Sequence, residues 1–297
     1  MMKRQYHYLV SGLPKISIDE RLPVSVAEFR NHLQVHLHPE DLWQARCVLL
    51  QRDHGNILHF LRTGVIPENS VSNFTPEELM NPEDMVAGTA PEDQFMPEYI
   101  ARFLAENSDN RKTSGKGNGP GEEKIPDLPA LQKELDEGFF GLIMEHGNEF
   151  LRKFFAFQYD MYNLLTYIKS GAHKLDQDAF ITGDTPHAHH LRAFAGRNLA
   201  KDPDMEYFDE ITSISSQPSF AEEERQADLL RWRVIDEMNR FEYFTIDRVL
   251  GYLLQMQIAE RWEQLDRESG EMVLRELVDV SYRNLTEKRL AHQEDTE

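Results

Sequence analysis

Cysteine is almost missing from this 297-residue chain. Cys47 stands alone, so no internal disulfide can form and a reducing compartment is expected. Basic runs are missing too: none is longer than an isolated pair, and 32 Lys+Arg against 52 Asp+Glu leave a net charge of −20. Nucleic acid is held by a basic stripe that displaces counterions, and anionic lipid attracts the same kind of surface. Both are therefore disfavoured as the main target. No stretch of about 18 uncharged apolar residues occurs, and the opening MMKRQYHYLVSGLPKIS has no apolar run fit for a signal peptide. The expectation is a cytoplasmic protein that meets a membrane only through protein partners.

Catalytic signatures are also lacking. There is no Gly-x-Ser-x-Gly elbow for a nucleophile. Gly115-Lys116-Gly117-Asn118-Gly119-Pro120-Gly121 looks like a phosphate loop but has Gly after its lysine, no apolar strand leading in, and Pro120-Gly121 where a helix should begin. Cys47 sits among Leu42, Leu49 and Leu50, the setting of a small buried hydrophobe. The carboxylates Glu222-Glu223-Glu224 lie on a polar segment and read as solvated. One cluster could hold a metal: His187, His189 and His190 with Asp184. Imidazole and carboxylate suit zinc or a first-row metal, and His187 and His190 share a helix face. Against it, Asp184-Thr185-Pro186 reads as an exposed helix start, and no second group completes the shell. The sequence thus predicts no catalytic residue and no cofactor, with a metal-dependent helical hydrolase as the alternative reading.

What is present is helical periodicity. Tyr6, Tyr8 and Val10 alternate before Gly12-Leu13-Pro14, which predicts a short N-terminal strand or extended arm. From Pro23 onward Val26, Phe29, Leu33 and Leu37 recur at helical steps, and Pro39-Glu40-Asp41 offers a second helix start. Between Pro67 and Ala101 there is no Lys or Arg, and five prolines break an acidic stretch that reads as a solvated excursion or a docking surface for a basic partner. Residues 107–126 carry four of the sixteen glycines and few apolar side chains, the composition of a flexible linker. Leu128 to Ser170, Phe220 to Asp266 and Glu271 to Leu290 are rich in helix formers. The fold class is mainly α. The expected organisation is an N-terminal helical module over 1–106, the linker over 107–126, and two further modules over 127–297.

An internal echo supports modules. Asp53-His54-Gly55-Asn56-Ile57-Leu58-His59-Phe60-Leu61 aligns with Asp160-Met161-Tyr162-Asn163-Leu164-Leu165-Thr166-Tyr167-Ile168. Gln51 and Gln158 precede the two copies, and Gly64 and Gly171 follow. A looser third copy begins at Asp236 and includes Asn239. Three residues apart on a helix, Asp and Asn share one face. Each pair is placed to clamp the end of a neighbouring element, the carboxylate taking N–H groups and the carboxamide bridging N–H and C=O.

Two blocks carry a family resemblance: the run from Glu149 through Phe150, Phe154, Asp160 and Asn163 to Leu165, and the run from Phe244 through Gly251, Tyr252 and Leu254 to Glu260. They resemble the C subunit, or subunit d, of A- and V-type rotary ATPases. The whole chain, opening Tyr6-His7-Tyr8-Leu9-Val10-Ser11-Gly12-Leu13-Pro14, more closely resembles a bacterial family encoded beside such ATPase genes, where the C subunit is expected. The resemblance implies a non-catalytic coupling part of the central stalk. It would be a funnel of three similar helical modules, joining the rotor-shaft subunits to the membrane proteolipid ring at the inner membrane. It implies that Asp53/Asn56, Asp160/Asn163 and Asp236/Asn239 are equivalent structural clamps. An acidic funnel of this kind would attract a basic shaft foot.

Overall fold

The structure is a computed structural model, and it describes residues 4–67, 71–82, 95–107, 128–174, 177–178, 181–194 and 199–266. The glycine-rich segment from 108 onward, residues 68–70 and 83–94 of the acidic stretch, and the expected helix Glu271 to Leu290 lie outside the described residues. The chain is mainly helical, as its periodicity predicts. After a single turn α1 (His7–Ser11) come α2 (Val26–His36), α3 (Pro39–Thr63), α4 (Pro76–Met80) and α5 (Glu98–Glu106). They are followed by α6 (Leu128–His146), α7 (Glu149–Ala172), α8 (Pro186–Ala193), α9 (Phe208–Ile214) and α10 (Phe220–Met238). The described part of the last helix, α11, spans 246–266.

The helix starts are encoded locally. Ser25 accepts the Glu28 N–H while Glu28 returns to the Ser25 N–H, a reciprocal box that opens α2. Thr75 and Glu78 repeat the device at α4. Pro39 starts α3 with Glu40 and Asp41 in its first turn, where acids favour the positive end of the helix dipole. Gly64 ends α3 at φ +77°, a left-handed conformation that glycine adopts without strain. Gly147 and Asn148 separate α6 from α7, and Asn148 caps α7 by accepting the Leu151 N–H at 2.9 Å.

The N-terminal segment departs from the expected short strand or extended arm. Extended pairing is confined to Gln5, which bridges Thr245 in antiparallel sense, with the Tyr6 N–H reaching the Phe244 carbonyl at 2.7 Å. Residues His7–Ser11 then form one helical turn. The alternation misleads because Tyr6, Tyr8 and Val10 do not share a buried face: Tyr8 is 81 % exposed, and Leu9, from the opposite set, is the buried residue. A strand also needs a neighbouring edge, and among the described residues the only backbone paired with this arm is the irregular lead into α11.

Packing forms two apolar clusters that meet along α7. The first unites α2, α3, α5 and α6 with Phe150, Phe154, Phe155 and Tyr159 of α7 and the buried face of α11. It therefore draws on both sides of the 107–126 segment. The second gathers Met161, Leu164 and Tyr167 from the other end of α7 with α8, α9 and α10. Helix α3 packs on α6, and α7 packs on α6, α8, α9 and α10. Burying side chains such as Phe139, Phe154, Phe155 and Leu164, all 1 % exposed or less, stabilises the fold by roughly 1.5–3 kcal/mol apiece. Helix α5 lies close on α6, so that a Cβ at Gly138 would sit 2.4 Å from the Tyr99 ring. Among the described residues, no helix is long and apolar enough to cross a membrane.

Candidate functional site

The two stronger copies of the echo hold corresponding segments. On α3, Asp53 is fully buried and accepts the Ser72 hydroxyl at 2.8 Å, the Asn73 N–H at 2.9 Å and the Asn73 carboxamide at 2.7 Å. Asn56 donates to the Val71 carbonyl at 3.3 Å. On α7, Asp160 accepts the Thr185 hydroxyl at 2.5 Å. Asn163, fully buried, donates to the Thr182 carbonyl at 2.7 Å and accepts the Thr182 N–H at 2.9 Å. In both copies the aspartate fixes a hydroxyl, which then accepts a backbone N–H of its own segment: Ser72 from Phe74 at 3.1 Å, Thr185 from Ala188 at 3.0 Å. A hydroxyl has one hydrogen, so committing it to the carboxylate aims the lone pairs at the N–H. Both held segments run into a Thr-Pro helix start, Thr75-Pro76 for α4 and Thr185-Pro186 for α8.

Electrostatics follow burial. Desolvation lifts the Asp53 carboxyl from 3.8 to about 6, opposed by its bonds from Ser72 and Asn73. Burial also raises Asp160, opposed by the Thr185 hydroxyl and by His187. The glycines that close the two copies differ: Gly64 is a left-handed cap, whereas Gly171 lies inside α7, where a Cβ would press on the Gln177 carboxamide at 2.6 Å.

The third pair is built differently. Asp236, near the end of α10, accepts from the Gln255 carboxamide of α11 at 2.8 Å. Asn239 is the C-cap of α10 and buried, and its carboxamide nitrogen and oxygen have no hydrogen-bond partner among the described residues. It occupies the space that a side chain at Gly251 would need, 2.1 Å from the ideal Cβ. This pair lies against the flank of a following helix and takes no loop in hand.

The structure disperses the histidines. His187 bonds Asp202 at 2.7 Å, His189 bonds the exposed Asp184 at 2.8 Å, and His190 faces the Ala200 carbonyl at 3.2 Å. The Asp202 carboxyl sits below its ordinary value: burial would raise it, but the bonds from His187 and the Asp204 N–H outweigh that. Among the described residues, no group of three or more His, Cys, Asp or Glu side chains is placed to hold a metal ion. Cys47 is fully buried and burial pushes its thiol well up, the opposite of an activated nucleophile.

One polar side chain inside the echo escapes sequence reasoning. His54 is fully buried, with Nδ1 3.2 Å from Asp136 of α6 and Nε2 2.8 Å from the Tyr99 hydroxyl of α5. The second copy has Met161 there. A histidine in an apolar register position was the available signal.

Two clefts flank the grips. One, of about 510 Å³, is lined by Phe157, Asp160, His187, Tyr207, Glu237 and Met238 beside the second grip. The other, of about 560 Å³, lies where α3, α7, α10 and α11 converge, and Asn56 and Val71 of the first grip form part of its wall. Gln51 and Gln158, which occupy equivalent positions in the echo, meet in this cleft at 3.0 Å.

These features define a helical protein with a duplicated polar grip. The chain belongs to the family described as protein of unknown function (DUF2764), whose model matches residues 2–284. No curated protein matches it.

Proposed function

We propose that this chain is a non-catalytic coupling subunit of the central stalk of a V/A-type ATPase, linking the rotor shaft to the membrane proteolipid ring. The observation that carries the reading is the duplicated grip: Asp53/Asn56 and Asp160/Asn163 hold corresponding segments, and their preceding glutamines meet at 3.0 Å. A repeat of this kind accords with the modular build that the resemblance implies. A torque-bearing adaptor needs helix ends that cannot slide, and a side chain bonded to loop backbone supplies that restraint without a catalytic cleft. Helix α7 contributes to both apolar clusters, so a load on one cluster reaches the other through a continuous hydrogen-bonded rod. A role outside the bilayer accords with the lack of a spanning helix among the described residues.

The test is recovery of the full chain under mild detergent. Rotor-shaft subunits and proteolipid are expected to co-purify with it, and the isolated chain is expected to hydrolyse no ATP. Absence of every rotary ATPase component would reduce the protein to a general helical scaffold.

A further inference from the structure

The polar wall of the cleft beside the second grip is made almost entirely of acceptors. Four carboxylates, Asp160, Asp204, Glu206 and Glu237, stand with one lysine, Lys153, and Glu149 already matches that lysine at 2.6 Å. The cations nearby are also committed: Arg233 is shared by Glu210 at 2.5 Å and Glu237 at 3.6 Å, and Lys201 is paired with Asp209. The Asp204 and Glu206 side chains have no ion pair among the described residues, so the negative excess on this wall is not cancelled by them. His187 adds to it. Its Nδ1 is fixed at 2.7 Å by Asp202, which is 6 % exposed. With the Nδ1 hydrogen committed there, a neutral imidazole keeps only Nε2, which accepts. The remaining wall is apolar. Phe157 and Tyr207 meet edge to face at 5.4 Å, beside Met205, Ile211, Val234 and Met238. The Tyr207 ring already has the Arg233 guanidinium 5.8 Å from its centre, the contact a π face makes with a cation.

We propose that this cleft binds a small organic cation, an apolar body that carries an ammonium group. The ammonium brings three N–H donors and a positive charge to a wall of acceptors, and the apolar body covers the rings and aliphatic side chains. The volume of about 510 Å³ lies within the range of roughly 300–1,000 Å³ usual for small-molecule sites. A bare metal ion would leave the apolar wall uncovered, and an anion would meet carboxylates. The inference needs no rotary partner and stands apart from the coupling reading, since amine binding is measured on the isolated chain and the coupling role on the assembly.

The experiment is isothermal titration of the full chain with 2-phenylethylamine at neutral pH, with 2-phenylethanol as the uncharged control. The amine is expected to bind at one site, and the alcohol roughly tenfold more weakly because it brings no charge to the carboxylates. The double variant Asp204→Asn, Glu206→Gln removes two charges whose side chains hold nothing in the fold. With its folding checked by thermal melting, it is expected to bind the amine about fivefold more weakly. Failure of the wild-type chain to bind the amine, equal binding of amine and alcohol, or unchanged binding by the folded double variant would overturn the proposal. Displacement of the amine by methylammonium at equal concentration would also overturn it, in favour of simple counterion attraction.

Discussion

The first and second grips use the same two residue types at the same spacing but divide the load in opposite ways. On α3 the carboxylate does most of the holding: Asp53 accepts three hydrogen bonds, whereas Asn56 makes one long contact at 3.3 Å. On α7 the carboxamide does: Asn163 closes a two-bond ring with Thr182, whereas Asp160 takes a single hydroxyl. The geometry of the held backbone explains the exchange. At 72–73 the segment presents N–H and hydroxyl donors, which an acceptor-only carboxylate satisfies. At Thr182 it presents both an N–H and a C=O, which only a carboxamide can satisfy together. A repeat can therefore conserve a mechanical task while moving the energy from one side chain to the other.

That comparison can be broken most directly at Asn163. Asn163→Ala strands a buried N–H and a buried C=O and should cost about 3–4 kcal/mol, read as a lower urea midpoint. Loss of less than about 1 kcal/mol would deny the carboxamide its leading part.

Asp53 gives the next largest effect. Because burial raises its carboxyl from 3.8 to about 6, the native state holds the proton more tightly than the unfolded chain. The stability from this group is complete below pH 3.8 and is lost as pH rises through about 6. Between pH 5 and 7.5 that loss should be on the order of 1 kcal/mol, and Asp53→Asn should remove it from the measured pH profile. An unchanged slope in the variant would place the titration elsewhere.

Asn56→Ala should have the smallest effect, about 1 kcal/mol or less by chemical denaturation. If it matched Asn163→Ala, the two grips would be equivalent and the division of labour would be wrong.

The helices and the residues of the grips were legible because both are local. Pro39-Glu40-Asp41 and Thr185-Pro186 mark helix starts through backbone chemistry within one turn, and Asp and Asn three apart must share a face. What the grips hold was not legible, since Val71, Asn73, Thr182 and Thr185 lie 15 to 25 residues downstream across intervals of unequal length. The third pair reads alike in sequence and differs in use, because Asn239 falls at the end of α10 and meets Gly251. The ion pair between Arg52 of α3 and Glu260 of α11 was beyond reach for the same reason of distance: the two residues are 208 apart. At the N-terminus the period of two was real, but no sheet edge among the described residues receives it, and a helical turn forms instead.

The most direct test of the coupling role is an electron-microscopy reconstruction of the rotary ATPase isolated through a tag on this chain. The account predicts that the chain occupies the position between the foot of the shaft and the proteolipid ring. A reconstruction in which another polypeptide fills that place, or in which this chain sits elsewhere on the assembly, would contradict it.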